Sequence, residues 1–240
     1  MENTKTLIYD GSFNGFLCAV YRAFDENLTI SGIQKYPGLQ NTLFTERVHV
    51  QTDLKEARRV WQGIEKRYYL AAKKIYFAFL SERKEIEMLL YRYIRSLFVT
   101  SDKLDTPDIA ADLNKVDQLA EAVAREKQQI ERTLQFSRDR GQLSTATIDP
   151  RANILPLISR HFRSLYLHNA WVIYDRRRKY GLYYHEQSME LLHLSPNEME
   201  LLATRGTRKL FGSLQAKEGT VVRQLHKPAP PVNVLEKRAV

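Results

Sequence analysis

Four consecutive cationic residues with tyrosines on both sides form the most suggestive chemical group in the sequence. The cations are Arg176, Arg177, Arg178 and Lys179, and the tyrosines are Tyr174, Tyr180, Tyr183 and Tyr184. Guanidinium groups bind phosphates with paired donors, and tyrosine rings stack on bases. This pattern is typical of a surface for single-stranded or distorted nucleic acid. In the alternative interpretation the tyrosines fill the core and the cations solvate a turn.

A second basic group occupies the first half of the chain, as the pairs Arg58 and Arg59, Lys66 and Arg67, and Lys73 and Lys74. Spacings of seven and eight residues align these pairs along one stripe if a single helix carries all of them. Tyr68 and Tyr69 lie beside this stripe. The alternative is a solvated helix face opposite a buried stripe that contains Trp61.

The basic charge is concentrated in a few segments. The 240 residues carry a net charge of +9, and residues 151–180 hold seven Lys and Arg against one acidic residue. Residues 51–100 hold eleven against six, and residues 201–240 hold eight against two. Clustered cations release counterions when they meet phosphates, so the distribution favours a polyanionic partner. Solvated basic surface without such a partner is the other interpretation.

Signals for catalysis are weaker. Asp10 and Asp175 each follow a β-like run, and two carboxylates at strand ends could hold a metal or act as general acid and base. Turn formation is the simpler role for both. The histidine spacings match no metal motif, and the single cysteine, Cys18, excludes disulfides and multi-cysteine zinc sites. We therefore expect no metal, no cofactor, no membrane span and a cytoplasmic location.

Hydrophobic spacing predicts the elements that must position these residues. We expect strands at Thr6–Tyr9 and Arg47–Val50, with an irregular segment at Asn27–Asn41 between them. Helical spacing predicts helices at Phe13–Phe24 with Ser12 as N-cap, from Thr52 or Asp53 as N-cap to Tyr68, at Ile86–Phe98, and from Pro107 to about Ser137. The last of these carries heptad-like apolar positions that Lys127 interrupts.

The second half of the chain is richer in β-structure. Trp171–Tyr174 and Tyr180–Tyr184 are predicted to form a hairpin around the cationic loop, with a third strand at Met189–Leu194 and a helix from Pro196. We expect an α+β fold with a mostly helical middle and a small antiparallel or mixed sheet. The predicted organisation is one module over residues 1–225, helical at about 53–138 and α/β at 1–52 plus 143–215, with an extended tail at 226–240.

Four segments resemble an uncharacterised bacterial family whose members are labelled DNA metabolism or DNA repair proteins. They are LIYDGSFNGFLCAV at Leu7–Val20, AFLSE at Ala78–Glu82, DPRANILPLISRHF at Asp149–Phe162 and IYDRRRKYGLYY at Ile173–Tyr184. The resemblance spans roughly residues 7–225. It implies a role in DNA metabolism, since some members are fused to a uracil-DNA-glycosylase-like domain and others are partnered with a radical S-adenosylmethionine protein. It carries over no catalytic residues.

The residues and the resemblance together favour a nucleic-acid-binding accessory to a DNA-processing enzyme over an enzyme. The predicted contact residues are Arg176, Arg177, Arg178, Lys179, Tyr183, Tyr184, Arg58, Arg59, Lys66 and Arg67. One alternative is a DNA-modifying hydrolase or glycosylase-like enzyme that uses Asp10 and Asp175. A second alternative is a helical protein-interaction module that presents the seam of residues 107–137 to a partner.

Overall fold

The computed structural model describes residues 4–36, 46–98, 107–138, 143–205 and 223–224. Its chain divides into two compact units: unit 1 holds the described residues up to Val123, and unit 2 holds those from Ala124 onward. The extended tail predicted at 226–240 lies outside the described residues. No described helix combines the length and the apolar character needed to cross a membrane.

A parallel sheet of three strands lies in unit 1. It consists of β1 (Lys5–Tyr9), β2 (Ile30–Lys35) and β3 (Glu46–His49), in the order β2-β1-β3. Successive residues Leu7, Ile8 and Tyr9 of the central strand are all buried, as expected for a parallel strand covered on both faces. The strands predicted at Thr6–Tyr9 and Arg47–Val50 are confirmed by β1 and β3. The irregular segment predicted at Asn27–Asn41 is wrong over β2, because pairing with β1 overrides the poor strand propensity of Ser31 and Gly32.

The described part of unit 1 before Pro107 forms α1 (Phe13–Asp25), α2 (Leu54–Arg67), α3 (Tyr69–Leu80) and α4 (Ile86–Phe98). The helices α1, α2 and α4 confirm predicted ones, whereas α3 is not predicted as a separate helix. Ser12 caps α1 by accepting a hydrogen bond from the Gly15 amide, which confirms the predicted cap. Asp53 caps α2 by accepting from the amides of Lys55 and Glu56. Aromatic rings of Phe13, Trp61 and Phe79 pack together in the core of this unit.

The helix that begins at Leu54 ends before Tyr68, so no single helix carries all three basic pairs. The backbone there has φ −138° and ψ 60°, so α2 ends and α3 begins at this residue. The basic pairs on α2 therefore do not share a straight stripe with Lys73 and Lys74. Lys74 instead pairs with Asp117 at 2.7 Å.

The longest helix, α5 (Pro107–Thr133), begins at the predicted proline. Its seam is partly buried: Val116, Ala120 and Val123 are buried, whereas Leu113 is 37% exposed. Ion pairs of Asp112 with Arg92 and of Asp117 with Lys74 join the first half of α5 to α4 and α3. This half of the seam therefore faces other helices of unit 1. Further along, Lys127, which interrupts the heptads, pairs with Glu131 at 2.6 Å.

Unit 2 is built on a mixed sheet of six strands in sequence order: β4 (Ser137–Arg138), β5 (Leu143–Ile148), β6 (Ala170–Asp175), β7 (Tyr180–His185), β8 (Ser188–His193) and β9 (Arg223–Gln224). Only β5 and β6 pair in parallel, and α6 (Leu155–Leu165) connects them. The helix α7 (Pro196–Arg205) follows β8. The predicted α+β fold, the hairpin and the third strand are confirmed.

Two helical glycines give a matched test of packing in unit 1. A Cβ atom at Gly15 would lie 2.2 Å from Asp10 Oδ1, whereas one at Gly63 would meet no atom within 4 Å. We expect Gly15→Ala to lower the free energy of unfolding by about 1–3 kcal/mol through overpacking. Gly63→Ala should raise it by about 0.5–1 kcal/mol, because alanine restricts the unfolded chain. Urea denaturation measures both, and equal effects would contradict this packing.

Candidate nucleic-acid interface

The buried carboxylate of Asp175 determines the shape of the cationic turn. Asp175 is fully buried at the end of β6, and its Oδ1 accepts hydrogen bonds from the amides of Arg177 at 2.9 Å and Arg178 at 3.0 Å. Its Oδ2 accepts from Nη1 of Arg178 at 2.9 Å. Three donors therefore satisfy this carboxylate within the turn, as in an aspartate-initiated turn extended by a side-chain ion pair.

Arg178 connects the turn to the loop that follows β5. Its side chain is only 12% exposed. Besides bonding Asp175, its Nη1 donates to the carbonyl of Pro150 at 3.3 Å and its Nη2 donates to that of Arg151 at 2.8 Å. The predicted role of Arg178 in binding phosphate therefore has no support from its placement, because its guanidinium is engaged inside the protein.

The loop at 149–153 has further anchors. Glu126 of α5 accepts hydrogen bonds from the amides of Arg151 at 2.6 Å and Ala152 at 3.0 Å. The Tyr180 hydroxyl bonds Asn153 Oδ1, and the Arg176 amide donates to the carbonyl of Ile148 at 3.0 Å. Two segments that are distant in sequence, residues 149–153 and 175–180, are thus fixed against each other.

The remaining cations of the turn point outward. Arg176, Arg177 and Lys179 are exposed, and so is Arg151 on the adjoining loop. Lys179 adopts the left-handed conformation, with φ 56°, that closes the turn before β7. Arg177 Nε lies 3.4 Å from Asp149 Oδ1, but both side chains are about half exposed, so water weakens this pair. We call Arg151, Arg176, Arg177 and Lys179 the basic turn surface.

The tyrosines divide between core and surface. Tyr184 is 1% exposed, stacks on Trp171 at 5.4 Å between ring centroids, and donates its hydroxyl to the Leu167 carbonyl at 3.2 Å. Tyr183 is buried in the core cluster of the sheet. Neither ring is placed to stack on a base. The two residues are adjacent in β7 and point to opposite faces of the sheet, so the burial of both rings shows that the sheet is covered on both faces here.

An aromatic pair beside the turn was not predicted from the sequence. Tyr180 is partly exposed and stacks against the exposed His193, with ring centroids 6.2 Å apart and planes inclined by 28°. These two residues are direct partners in the β7–β8 register. Both strands, Tyr180–Tyr184 and Met189–Leu194, were predicted. Pairing them as a hairpin places Tyr180 opposite His193, so this register is the signal that could have identified the pair.

The second basic group lies in unit 1. Arg58, Arg59, Lys66 and Arg67 are all exposed on α2. The Arg59 guanidinium lies 5.8 Å from the Tyr21 ring centroid, and that of Arg67 lies 5.9 Å from the Phe98 centroid. Two of the four cations therefore cover aromatic faces of neighbouring helices.

Asp10 is a hydrogen-bonded turn residue. Its Oδ1 accepts from the amide of Ser12 at 2.9 Å and from its hydroxyl at 2.6 Å, and its Oδ2 accepts from the Thr52 hydroxyl at 2.9 Å. Partial burial alone would raise the pKa of Asp10, but these hydrogen bonds outweigh it and lower the pKa below the ordinary value. Asp10 is thus ionised at neutral pH and is unsuited to act as a general acid. Among the described residues, no group of three His, Cys, Asp or Glu side chains could hold a metal ion.

The lowered pKa of Asp10 predicts a pH dependence of stability. A carboxyl whose pKa is lower in the folded state stabilises the fold above its ordinary pKa of 3.8, and this contribution is lost as the pH falls through the folded value. We expect Asp10→Asn to destabilise the protein at pH 6, and the difference from wild type to shrink by pH 3. Urea denaturation across this range measures it. A difference that stays constant with pH would show that the carboxylate charge is not involved.

Comparison with known proteins identifies a family but no characterised relative. Residues 84–226 match the family described as a domain of unknown function, DUF4130. This range includes Asp149–Phe162 and Ile173–Tyr184, whereas Leu7–Val20 lies outside it. No curated protein matches the chain. Because the match covers more than half of the chain, including the whole basic turn surface, the protein belongs to the DUF4130 family.

Proposed function

We propose that this protein binds DNA through the basic turn surface of unit 2, as an accessory to a DNA-processing enzyme. The observation that carries the proposal is the outward placement of Arg176, Arg177 and Lys179 on a turn that Asp175 and Arg178 hold from inside. The buried ion pair of Asp175 and Arg178 fixes the backbone of the turn, so the exposed cations can bind a polyanion.

The local charge balance supports a polyanionic partner. Residues 149–153 and 175–179 contain five cationic side chains and two carboxylates. Asp175 is paired with Arg178, so of the two carboxylates in these segments only the half-exposed Asp149 faces an exposed cation. The nearby carboxylate of Glu126 accepts hydrogen bonds from two backbone amides. Positive charge therefore dominates the exposed part of both loops, which is what phosphate binding by counterion release requires.

Preorganisation supports binding by this turn in particular. A mobile loop loses conformational entropy when it binds, whereas a turn already held by backbone and side-chain hydrogen bonds loses less. Guanidinium groups at Arg176 and Arg177 match phosphate oxygens with paired donors. The stacked Tyr180 and His193 rings offer an aromatic face beside them.

The resemblance to DNA metabolism proteins is the reason for choosing DNA among polyanions. It also supports a radical S-adenosylmethionine protein as a partner, and the single cysteine of the chain supports a cytoplasmic location. The hydrolase alternative has less support, because the hydrogen bonds of both Asp10 and Asp175 serve local turns.

Charge reversal of the turn tests the proposal. We expect the triple variant Arg176→Glu, Arg177→Glu, Lys179→Glu to bind a mixed-sequence 20-base-pair duplex more weakly than wild type, as measured by fluorescence anisotropy. The slope of log affinity against log salt concentration should shrink by about one unit for each replaced cation. The three side chains are exposed, so the fold should persist.

A matched control reverses three cations outside the surface. Lys55→Glu, Arg83→Glu and Lys84→Glu change the net charge equally, and all three residues are exposed in unit 1. We expect this variant to keep most of the wild-type affinity. Equal losses in the two triple variants would mean that total charge, and not the turn, determines binding. The absence of salt-dependent binding by wild type would end the proposal.

A further inference from the structure

We propose that unit 1 carries a separate surface that stacks on the unpaired bases of single-stranded nucleic acid. This surface, the aromatic patch, consists of Phe24, Tyr68 and Phe98 with the guanidinium of Arg67. The inference rests on the proposed function in one respect, namely that the chain binds nucleic acid. It deepens that function by naming the strand form that is bound.

Three large rings meet at the solvent-facing side of unit 1. Phe24 lies in the last turn of α1, Tyr68 between α2 and α3, and Phe98 at the end of α4. The Phe98 centroid is 6.4 Å from that of Phe24 and 6.3 Å from that of Tyr68, with planes inclined by 75° and 87°. The rings are 41%, 39% and 40% exposed for Phe24, Tyr68 and Phe98 respectively. Edge contacts hold them together while leaving part of each ring open to solvent.

The break between α2 and α3 explains why Tyr68 lies at the surface. Helical spacing would place it on the buried stripe with Trp61 and Ile64. Its amide still donates to the Ile64 carbonyl, and its own carbonyl accepts from the Ala72 amide, so the backbone is satisfied while the helix axis changes. The chain thus exposes an aromatic ring that a continuous helix would bury. Exposed aromatic groups of this kind are typical of binding surfaces.

The charge around the patch determines which occupant is favoured. The Arg67 guanidinium lies 5.9 Å from the Phe98 ring centroid, Lys66 precedes it on α2, and Arg95 is exposed one turn before Phe98 on α4. On the acidic side, Glu26 pairs with Arg22 at 2.8 Å, which leaves Asp25 at the end of α1 and Glu65, one turn before Tyr68 on α2, as the other carboxylates. Cations therefore outnumber acids around exposed rings. This complementarity favours a polyanion with flat apolar groups, which describes a single strand.

The aromatic patch and the basic turn surface have different chemistry. The turn offers cations to a phosphate backbone, which both duplex and single strand possess. The patch offers ring faces, and a base can use these only when its own face is not stacked within a duplex. The patch should therefore contribute to single-strand affinity and leave duplex affinity unchanged.

The test uses the full chain with one mixed-sequence 20-nucleotide DNA, supplied either as a single strand or as a duplex. Tyr68→Ala and Phe98→Ala should each weaken single-strand binding by about tenfold, the typical effect of removing one stacking ring. Neither should change duplex binding. Tyr68→Phe and Phe98→Tyr keep the rings and should retain wild-type affinity. Leu70→Ala is the matched control, because Leu70 is 71% exposed and apolar but carries no ring.

The outcomes separate this inference from the proposed function. If charge reversal of the turn weakens duplex binding while the alanine variants bind single strands like wild type, the patch inference fails alone. If the alanine variants lose single-strand affinity and the turn variant binds like wild type, the proposed function fails alone. Equal losses on single strand and duplex, with the ring-retaining variants also impaired, would show a structural role and overturn the inference. Unchanged binding of both DNA forms would assign the patch to another occupant, such as a protein, and would also overturn it.

Discussion

Unit 2 can bury the side chain of Asp175 only because three donors converge on it. An isolated buried carboxylate is strongly unfavourable, and removing one partner of a buried ion pair typically costs about 3–5 kcal/mol. Here two donors are amides of the turn itself, and the third is the guanidinium of Arg178. The same guanidinium bonds the carbonyls of Pro150 and Arg151. The conformation of two loops, and the direction of every exposed cation on them, therefore depends on one buried charge.

Unit 1 uses a strand-end aspartate in a related way. Asp10 follows the central strand and joins the start of α1, through Ser12, to the start of the α2 segment, through Thr52. Gly15 leaves the space that this carboxylate occupies. A strand-end aspartate is a common catalytic arrangement, and it is also an effective connector of loops. In both units these hydrogen bonds account for the position of the aspartate.

Local patterns allowed much of the fold to be predicted from the sequence. The helix at Ile86–Phe98, the Ser12 cap and the hairpin around the cationic loop each depend on residues close in sequence, and each was predicted. The strand β2 was missed because its pairing with β1 is non-local. The inward direction of Arg178 could not be predicted either, since its partners Pro150 and Arg151 lie 28 and 27 residues away. Four consecutive cations look equivalent in sequence, and only the fold distinguishes the internal one from its exposed neighbours.

We propose that the order of the turn, and not positive charge alone, makes it a DNA-binding surface. Arg178→Lys tests this claim most directly, because it preserves the net charge but removes the planar guanidinium that bonds Asp175 and both carbonyls. Duplex affinity of this variant should be measured by anisotropy at a temperature where circular dichroism shows the chain to be folded. We expect weaker binding than wild type at every salt concentration. Wild-type affinity in a folded Arg178→Lys protein would contradict it.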